Sequence, residues 1–182
     1  MNPRSGGWRY EYPTEDPGDT SQFGWQSMLL QSATNAKAIQ LTSTDRSLML
    51  RFLDSVATGR DGGLATYRPR VGNYQATEQA TPSMTAEAMA SRLLLGFPVR
   101  ASAAAETQRM LLNQLPGQGA DNFYYWYYAT LALYQLRGES TEGPSLNDSD
   151  IVWHQWNNAL KKQLCSTQIT SGTDKGSWNP TC

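Results

Sequence analysis

The sequence predicts an all-α protein made of three tandem helical hairpins. Apolar residues recur at helical spacing in six stretches, and glycine-rich corners separate these stretches at regular intervals. In contrast, no stretch alternates clearly enough between apolar and polar residues to form a buried strand. The chain has 182 residues, of which 39% are hydrophobic and 10% aromatic, and this is enough for one folded core.

The first two helices are predicted over about residues 20–36 and 44–57. In both, apolar side chains repeat at i, i+3, i+4 and i+7, the spacing that places them on one face of a helix. Trp25 and Met28 mark that face in the first helix, and Phe52 does so in the second. The two helices therefore form the first predicted hairpin.

Capping residues bound the third and fourth helices. Thr81 is a good N-cap, Pro82 suits the first helical position, and Gly96 ends the third helix. The fourth helix is predicted over about residues 99–115, where Pro116-Gly117 ends it.

The fifth helix, about residues 121–137, contains six consecutive aromatic residues from Phe123 to Tyr128, and the sixth covers about 147–164. A helix that is apolar all round is usually buried on all sides, so these aromatics are interpreted either as core or as the lining of a ligand cavity. Such a lining would hold an isoprenoid, stabilise a carbocation or stack on a sugar ring. The predicted ligand-binding aromatics are Trp25, Tyr124, Trp126 and Tyr128.

Glycine-rich corners repeat along the chain at Gly6-Gly7-Trp8, Gly62-Gly63-Leu64, Gly117-Gln118-Gly119 and Gly176-Ser177-Trp178. Their spacing gives a period of about 57 residues with two helices per unit, which is typical of stacked helical hairpins. We expect one domain or fragment with repeats at about 6–61, 62–116 and 117–175, and the start of a fourth unit at 176–182.

The combination of Gly6-Gly7-Trp8-Arg9-Tyr10, Thr85-Ala86-Glu87-Ala88, the aromatic run and Lys175-Gly176-Ser177-Trp178 resembles the prenyltransferase/squalene-cyclase repeat superfamily. The resemblance is to bacterial squalene-cyclase-like proteins of unknown function and covers nearly the whole chain. It implies an α/α toroid with inner and outer rings of helices, of which this chain would form an arc or half. The same toroid hosts cyclases, zinc prenyltransferases, thioester proteins and binding modules, so the resemblance alone assigns no activity.

Two acidic residues are the catalytic candidates that the resemblance implies. Class II terpene cyclases use a carboxylic acid held protonated in an apolar cavity, within an Asp-x-Asp-Asp-Thr-Ala-type motif. Asp16 and Asp19 match part of it, with Gly18 in place of the middle acid, whereas Pro82-Ser83-Met84 leaves the acidic positions before Thr85-Ala86 empty. The alternative interpretation is that Asp19 or Thr20 caps the first helix.

No cofactor or metal is predicted. Cys165, Cys182 and His154 do not stand in a zinc signature, and the thioester Gly-Cys-Gly-Glu-Gln element is missing from the sequence. One histidine also gives little basis for a Ser-His-Asp or Cys-His enzyme. Cys165 and Cys182 are either two thiols or a disulfide that ties the tail to the sixth helix.

Tyrosine hydroxyls that face a cavity need polar partners, and Arg68, Glu78 and Glu87 are the candidates. Of these, Arg68 lies with Arg70 in the long 59–80 connection, which is either a functional rim or an ordinary solvated loop.

The charge pattern limits the classes of partner. Net charge is −1 with no block of Lys or Arg, so we expect no nucleic-acid binding, and no apolar segment is long enough to span a membrane. The first residues lack the apolar segment of a signal peptide. A half toroid would expose apolar sides, so we expect either a homodimer or the remainder of a longer chain to cover them.

The first functional hypothesis is a non-catalytic module that binds an apolar or glycan small molecule, or a partner, through an aromatic concave surface. The alternatives are a cyclase-like enzyme on an isoprenoid, with Asp16 or Asp19 as the acid, and an α/α-barrel enzyme on polysaccharide that uses tyrosine and arginine.

Overall fold

A computed structural model describes residues 1–10, 15–69, 79–137 and 148–179. The prediction of a mainly α-helical protein is confirmed, and each predicted helix end lies within three residues of the observed one. The helices are α1 (Thr20–Asn35), α2 (Ser43–Val56), α3 (Pro82–Leu94), α4 (Ala101–Leu112), α5 (Phe123–Leu136) and α6 (Asp148–Thr167).

Sequence patterning did not predict a small antiparallel ladder between α2 and α3. Strand β1 (Ala57–Thr58) pairs with β2 (Leu64–Ala65). The turn between them is held from α4, where the Glu106 carboxylate accepts hydrogen bonds from the backbone N–H groups of Arg60 and Gly63 at 2.7 and 2.8 Å. Burial acts to raise the pKa of Glu106, but the hydrogen bonds from these backbone amides have the larger effect. The pKa of Glu106 therefore lies below its usual value.

Helix α3 lies at the centre of the described structure. Every residue from Met84 to Ser91 is buried, and the helix packs against both α1 and α5. Three of these eight residues are alanines, which allow the neighbouring helices to approach closely. Two apolar clusters flank α3: one joins α1 and α2 through the stacked rings of Phe23 and Phe52, and the other is centred on α5 and α6.

The first two glycine-rich corners each pack against the backbone of a helix, the first against α2 and the second against α4. Gly6 and Gly62 have φ angles of +81° and +76°, a conformation that favours glycine. A Cβ atom added at Gly6 would lie 1.9 Å from the carbonyl oxygen of Leu48 on α2, and one at Gly63 would lie 2.1 Å from that of Ala103 on α4. Backbone contact of this kind needs glycine and fixes each corner on its helix.

Candidate functional site

A buried glutamate lies where α1, α3 and α5 meet. Glu87 on α3 is fully buried, and its carboxyl group packs directly on the backbone of Gly24 in α1. A Cβ atom at position 24 would be only 1.9 Å from Glu87 Oε1, so glycine is needed there to make room for the acid. On the other side, the Tyr124 hydroxyl of α5 donates a 2.5 Å hydrogen bond to Glu87 Oε2.

Two polar atoms in this cluster are buried without a hydrogen-bond partner: Glu87 Oε1 and the Tyr128 hydroxyl oxygen. Tyr128 follows Tyr124 by one helical turn, and their rings meet edge to face with centroids 5.0 Å apart. Buried polar groups are nearly always paired, because an unpaired one costs about 1–3 kcal/mol. The cluster therefore contains two buried oxygen atoms that can each form a further hydrogen bond.

Burial raises the pKa of Glu87 to about 8, and the nearby charge of Asp19 acts in the same direction, while the hydrogen bond from the Tyr124 hydroxyl opposes the change. Burial and the contact with Glu87 also raise the pKa of Tyr124. At neutral pH the protonated form of Glu87 therefore predominates, and this side chain is a neutral carboxylic acid that can donate a hydrogen bond.

An aromatic surface is defined here by Trp25 and Met28 of α1 together with Tyr124 and Tyr127 of α5. Trp25 and Tyr127 are 55% and 52% exposed. Met28 stands three residues after Trp25 on α1, and the Tyr127 hydroxyl donates to its sulfur atom at 3.4 Å, which connects the two helices. Tyr124 and Tyr127 are three residues apart and share a face of α5.

Asp19 is the N-cap of α1. Its buried carboxylate accepts hydrogen bonds from the backbone N–H of Gln22 at 2.9 Å and from the Ser21 hydroxyl at 2.6 Å. The guanidinium of Arg9 donates to its second oxygen at 2.5 Å. This is the capping role that the sequence offered as the alternative to acid catalysis.

Asp16 forms an ion pair with Arg68 at 2.7 Å and a longer one with Arg9 at 3.5 Å. Burial raises the pKa of Asp16, but the backbone N–H of Gly18 and the two arginines outweigh it, so the pKa lies below its usual value. Such a carboxyl group is an anion at neutral pH. Of the three acids considered so far, Glu87 has the environment that a protonated acid requires.

The other predicted ligand-binding residues occupy different places. Trp126 belongs to the core around α5 and lines a cavity of about 340 Å³ between the starts of α3 and α5, apart from Glu87. Arg68 is engaged by Asp16. Glu78 and Arg70 lie outside the described residues. Sequence reasoning missed Gly24 and Tyr127, although an isolated glycine inside a helical pattern is a known sign of close packing.

In the described parts of the chain, no group of three His, Cys, Asp or Glu side chains is placed to hold a metal ion. His154 and Cys165 are exposed on α6, and Cys182 lies outside the described residues, so both alternatives for the two cysteines, two thiols or a disulfide, stay predictions. Among the same residues, no helix has the length and apolar character of a membrane span.

The sequence matches no protein-family model and no curated protein, and the structure matches no solved structure. The squalene-cyclase-like resemblance and the toroid arrangement therefore stay predictions.

We expect Asp19→Asn to lower the free energy of unfolding by about 1–2 kcal/mol, because asparagine keeps the cap but loses the charge opposite Arg9. Urea unfolding followed by circular dichroism measures this loss. Asp45→Asn, in the exposed capping box of α2, is the matched control and should have the smaller effect. An equal loss in both variants would contradict a special role for the Arg9 contact.

Proposed function

We propose that this chain is a non-catalytic, ligand-binding module of tandem helical hairpins, arranged as an arc of an α/α toroid. The ligand is a small molecule held on the aromatic surface between α1 and α5. The observation that carries the proposal is the pair of half-exposed aromatic side chains, Trp25 on α1 and Tyr127 on α5, on two helices that the contact between Tyr127 and Met28 connects.

Aromatic side chains of this size contribute most to stability or binding when they are buried. Trp25 and Tyr127 leave about half of their area in contact with water. The contact of Tyr127 with Met28 already fixes one side of the surface, so little rearrangement is needed for a ligand to cover the rest. A flat molecule with an apolar face fits such a surface.

The contacts of Asp16 and Asp19 argue for a binding protein rather than an enzyme. Each carboxylate is already bonded to an arginine and to a backbone N–H group. Arg68, a candidate partner for tyrosine hydroxyls, forms an ion pair with Asp16. These ion pairs stabilise the start of α1, and Glu87 remains the acid without an arginine partner among the three.

A cyclase-like enzyme is the second candidate, and one observation favours it. Glu87 is a carboxylic acid held neutral by burial beside tyrosine rings, which is the chemical requirement for protonating an alkene. Its proton would go to a substrate carbon, and the cation would then be stabilised by the faces of Tyr124 and Tyr128. This candidate requires Glu87 to become reachable from the aromatic surface.

Isothermal titration calorimetry with soluble oligosaccharides and with farnesol tests the binding proposal. We expect Trp25→Ala and Tyr127→Ala to weaken binding at least tenfold each, which corresponds to about 1.4 kcal/mol. Ile151→Ala removes an equally exposed apolar side chain from α6 and should leave binding unchanged. Equal weakening in all three variants, or no binding by the unaltered protein, would contradict the proposal.

A further inference from the structure

We propose that a second cavity, separate from the aromatic surface, binds the zwitterion of an α-amino acid with an apolar side chain. The cavity has a volume of about 470 Å³ and lies between the loop of residues 2–5, the residues before α1, and α2. This volume falls within the range of small-molecule sites, about 300–1,000 Å³. The charged residues of its lining are Arg4, Glu15 and Arg51, and none of the lining residues belongs to the aromatic surface.

Hydrogen bonds fix the backbone of the loop that forms one wall of the cavity. The Asn2 side-chain oxygen accepts from the backbone N–H groups of Arg4 and Ser5 at 2.8 and 3.0 Å. The Asn2 side-chain nitrogen donates to the carbonyl oxygen of Asp16 at 3.0 Å, and the Ser5 hydroxyl donates to that of Pro17 at 2.7 Å. Because these bonds already tie the loop to the residues before α1, the wall needs little ordering when a ligand binds.

Arg51 connects this wall to α2. Its Nη1 atom donates to the backbone carbonyl oxygen of Arg4 at 3.0 Å, so both arginines meet at the same cavity. Further N–H donors of Arg51 remain after this contact, and within the described ranges the Arg4 guanidinium has no hydrogen-bond or ion-pair partner. Two guanidinium groups suit a carboxylate, since the planar donor fork of arginine matches its two oxygen atoms.

Glu15 distinguishes a zwitterion from a simple anion. It lines the same cavity, and no described residue forms a hydrogen bond or an ion pair with its carboxylate. A negative charge at this place disfavours a ligand with several negative charges and favours one that also carries an ammonium group. The charged side chains therefore match one carboxylate and one ammonium group, the two charges of a free α-amino acid.

Two prolines supply an apolar part of the lining. Pro3 lies beside Arg4 in the loop, and Pro17 lies between the loop and α1. The carbonyl oxygen of Pro17 is already bonded to Ser5, and a proline has no backbone N–H, so these rings do not require a polar partner. An apolar side chain of the ligand fits against them, as in small-molecule sites that combine an apolar lining with a few charged groups.

Isothermal titration calorimetry of the full chain with leucine and phenylalanine tests the proposal. Each amino acid is compared with two analogues that lack one charged group: 4-methylpentanoate and 3-methylbutylamine for leucine, and 3-phenylpropionate and 2-phenylethylamine for phenylalanine. We expect at least one amino acid to bind, and removal of either charged group to weaken its binding about tenfold. An analogue that binds as tightly as its amino acid, or binding of neither amino acid, would overturn the proposal.

Three variants assign the charges. Arg4→Gln and Arg51→Gln should each weaken the amino acid and its acid analogue alike, about tenfold, because both ligands keep the carboxylate. Glu15→Gln should weaken only the amino acid, so that the two ligands then bind about equally. Arg60→Gln removes an exposed arginine outside the cavity and should change neither affinity. An equal loss in Arg60→Gln and Arg4→Gln would show a general effect of charge and overturn the arginine assignment.

The outcomes are distinct from those of the proposed function. Trp25→Ala should leave amino-acid binding unchanged, because Trp25 does not line this cavity. Inorganic phosphate is titrated as well, and phosphate that binds more tightly than either amino acid would overturn the zwitterion in favour of a simple anion. Circular dichroism of each variant confirms that it is folded before titration.

Discussion

Replacing Gly24 with alanine is expected to destabilise the folded chain by about 3 kcal/mol or more. The new Cβ atom would lie 1.9 Å from Glu87 Oε1 and 2.5 Å from the Cγ and Cδ atoms of the same side chain. Overpacking in a filled interior typically costs about 1–3 kcal/mol, and here the group that must move is the carboxyl of a fully buried side chain. Alanine is otherwise the better helix former by about 1 kcal/mol, so a large loss identifies the collision as the cause.

A double-mutant cycle tests this explanation. In a Glu87→Ala background the colliding atoms are gone, so we expect Gly24→Ala to cost little or to stabilise the helix. Urea unfolding of the four proteins gives the coupling energy between the two positions. Ser32→Ala, an exposed site on the same helix, controls for helix propensity. A similar cost for Gly24→Ala in both backgrounds would show that contact with Glu87 is not responsible.

The helices could be predicted from the sequence because local signals agree with the tertiary structure. Thr81 and Pro82 begin α3 as expected, since the threonine hydroxyl accepts from the backbone N–H of Met84. The β1–β2 ladder was missed because two residues per strand leave no alternation to detect. Its stability comes from Glu106, a residue more than 40 positions away from the turn that it holds.

The site was only partly predictable, because its key property depends on burial. Glu87 was a candidate partner for tyrosine hydroxyls, and the structure places it against Tyr124. The sequence around Asp16 and Asp19 resembled a catalytic motif more closely, yet both carboxylates form ion pairs with Arg9 or Arg68. Arg9 and Asp19 are ten residues apart and Arg68 and Asp16 fifty-two, so helical periodicity could not pair them.

The pH dependence of stability gives the most direct test of the state of Glu87. Its pKa is about 8 in the folded chain and near the ordinary 4.5 when unfolded. Both states bind the proton below pH 4.5, so the stabilising contribution is fully present there. Between pH 4.5 and 8 the unfolded state loses the proton while the folded state keeps it. The free energy of unfolding therefore falls as the pH rises. At 1.36 kcal/mol per pKa unit, the total loss is at most about 5 kcal/mol.

Urea unfolding at intervals from pH 5 to pH 8.5 measures this slope. We expect the unaltered protein to lose several kcal/mol over the range and Glu87→Gln to lose much less, since glutamine does not titrate. Glu106→Gln is the matched control: the pKa of Glu106 is lowered, so its contribution is lost only under more acidic conditions. This variant should keep the slope of the unaltered protein. An equally steep slope in Glu87→Gln would mean that Glu87 is ionised in the folded chain at neutral pH.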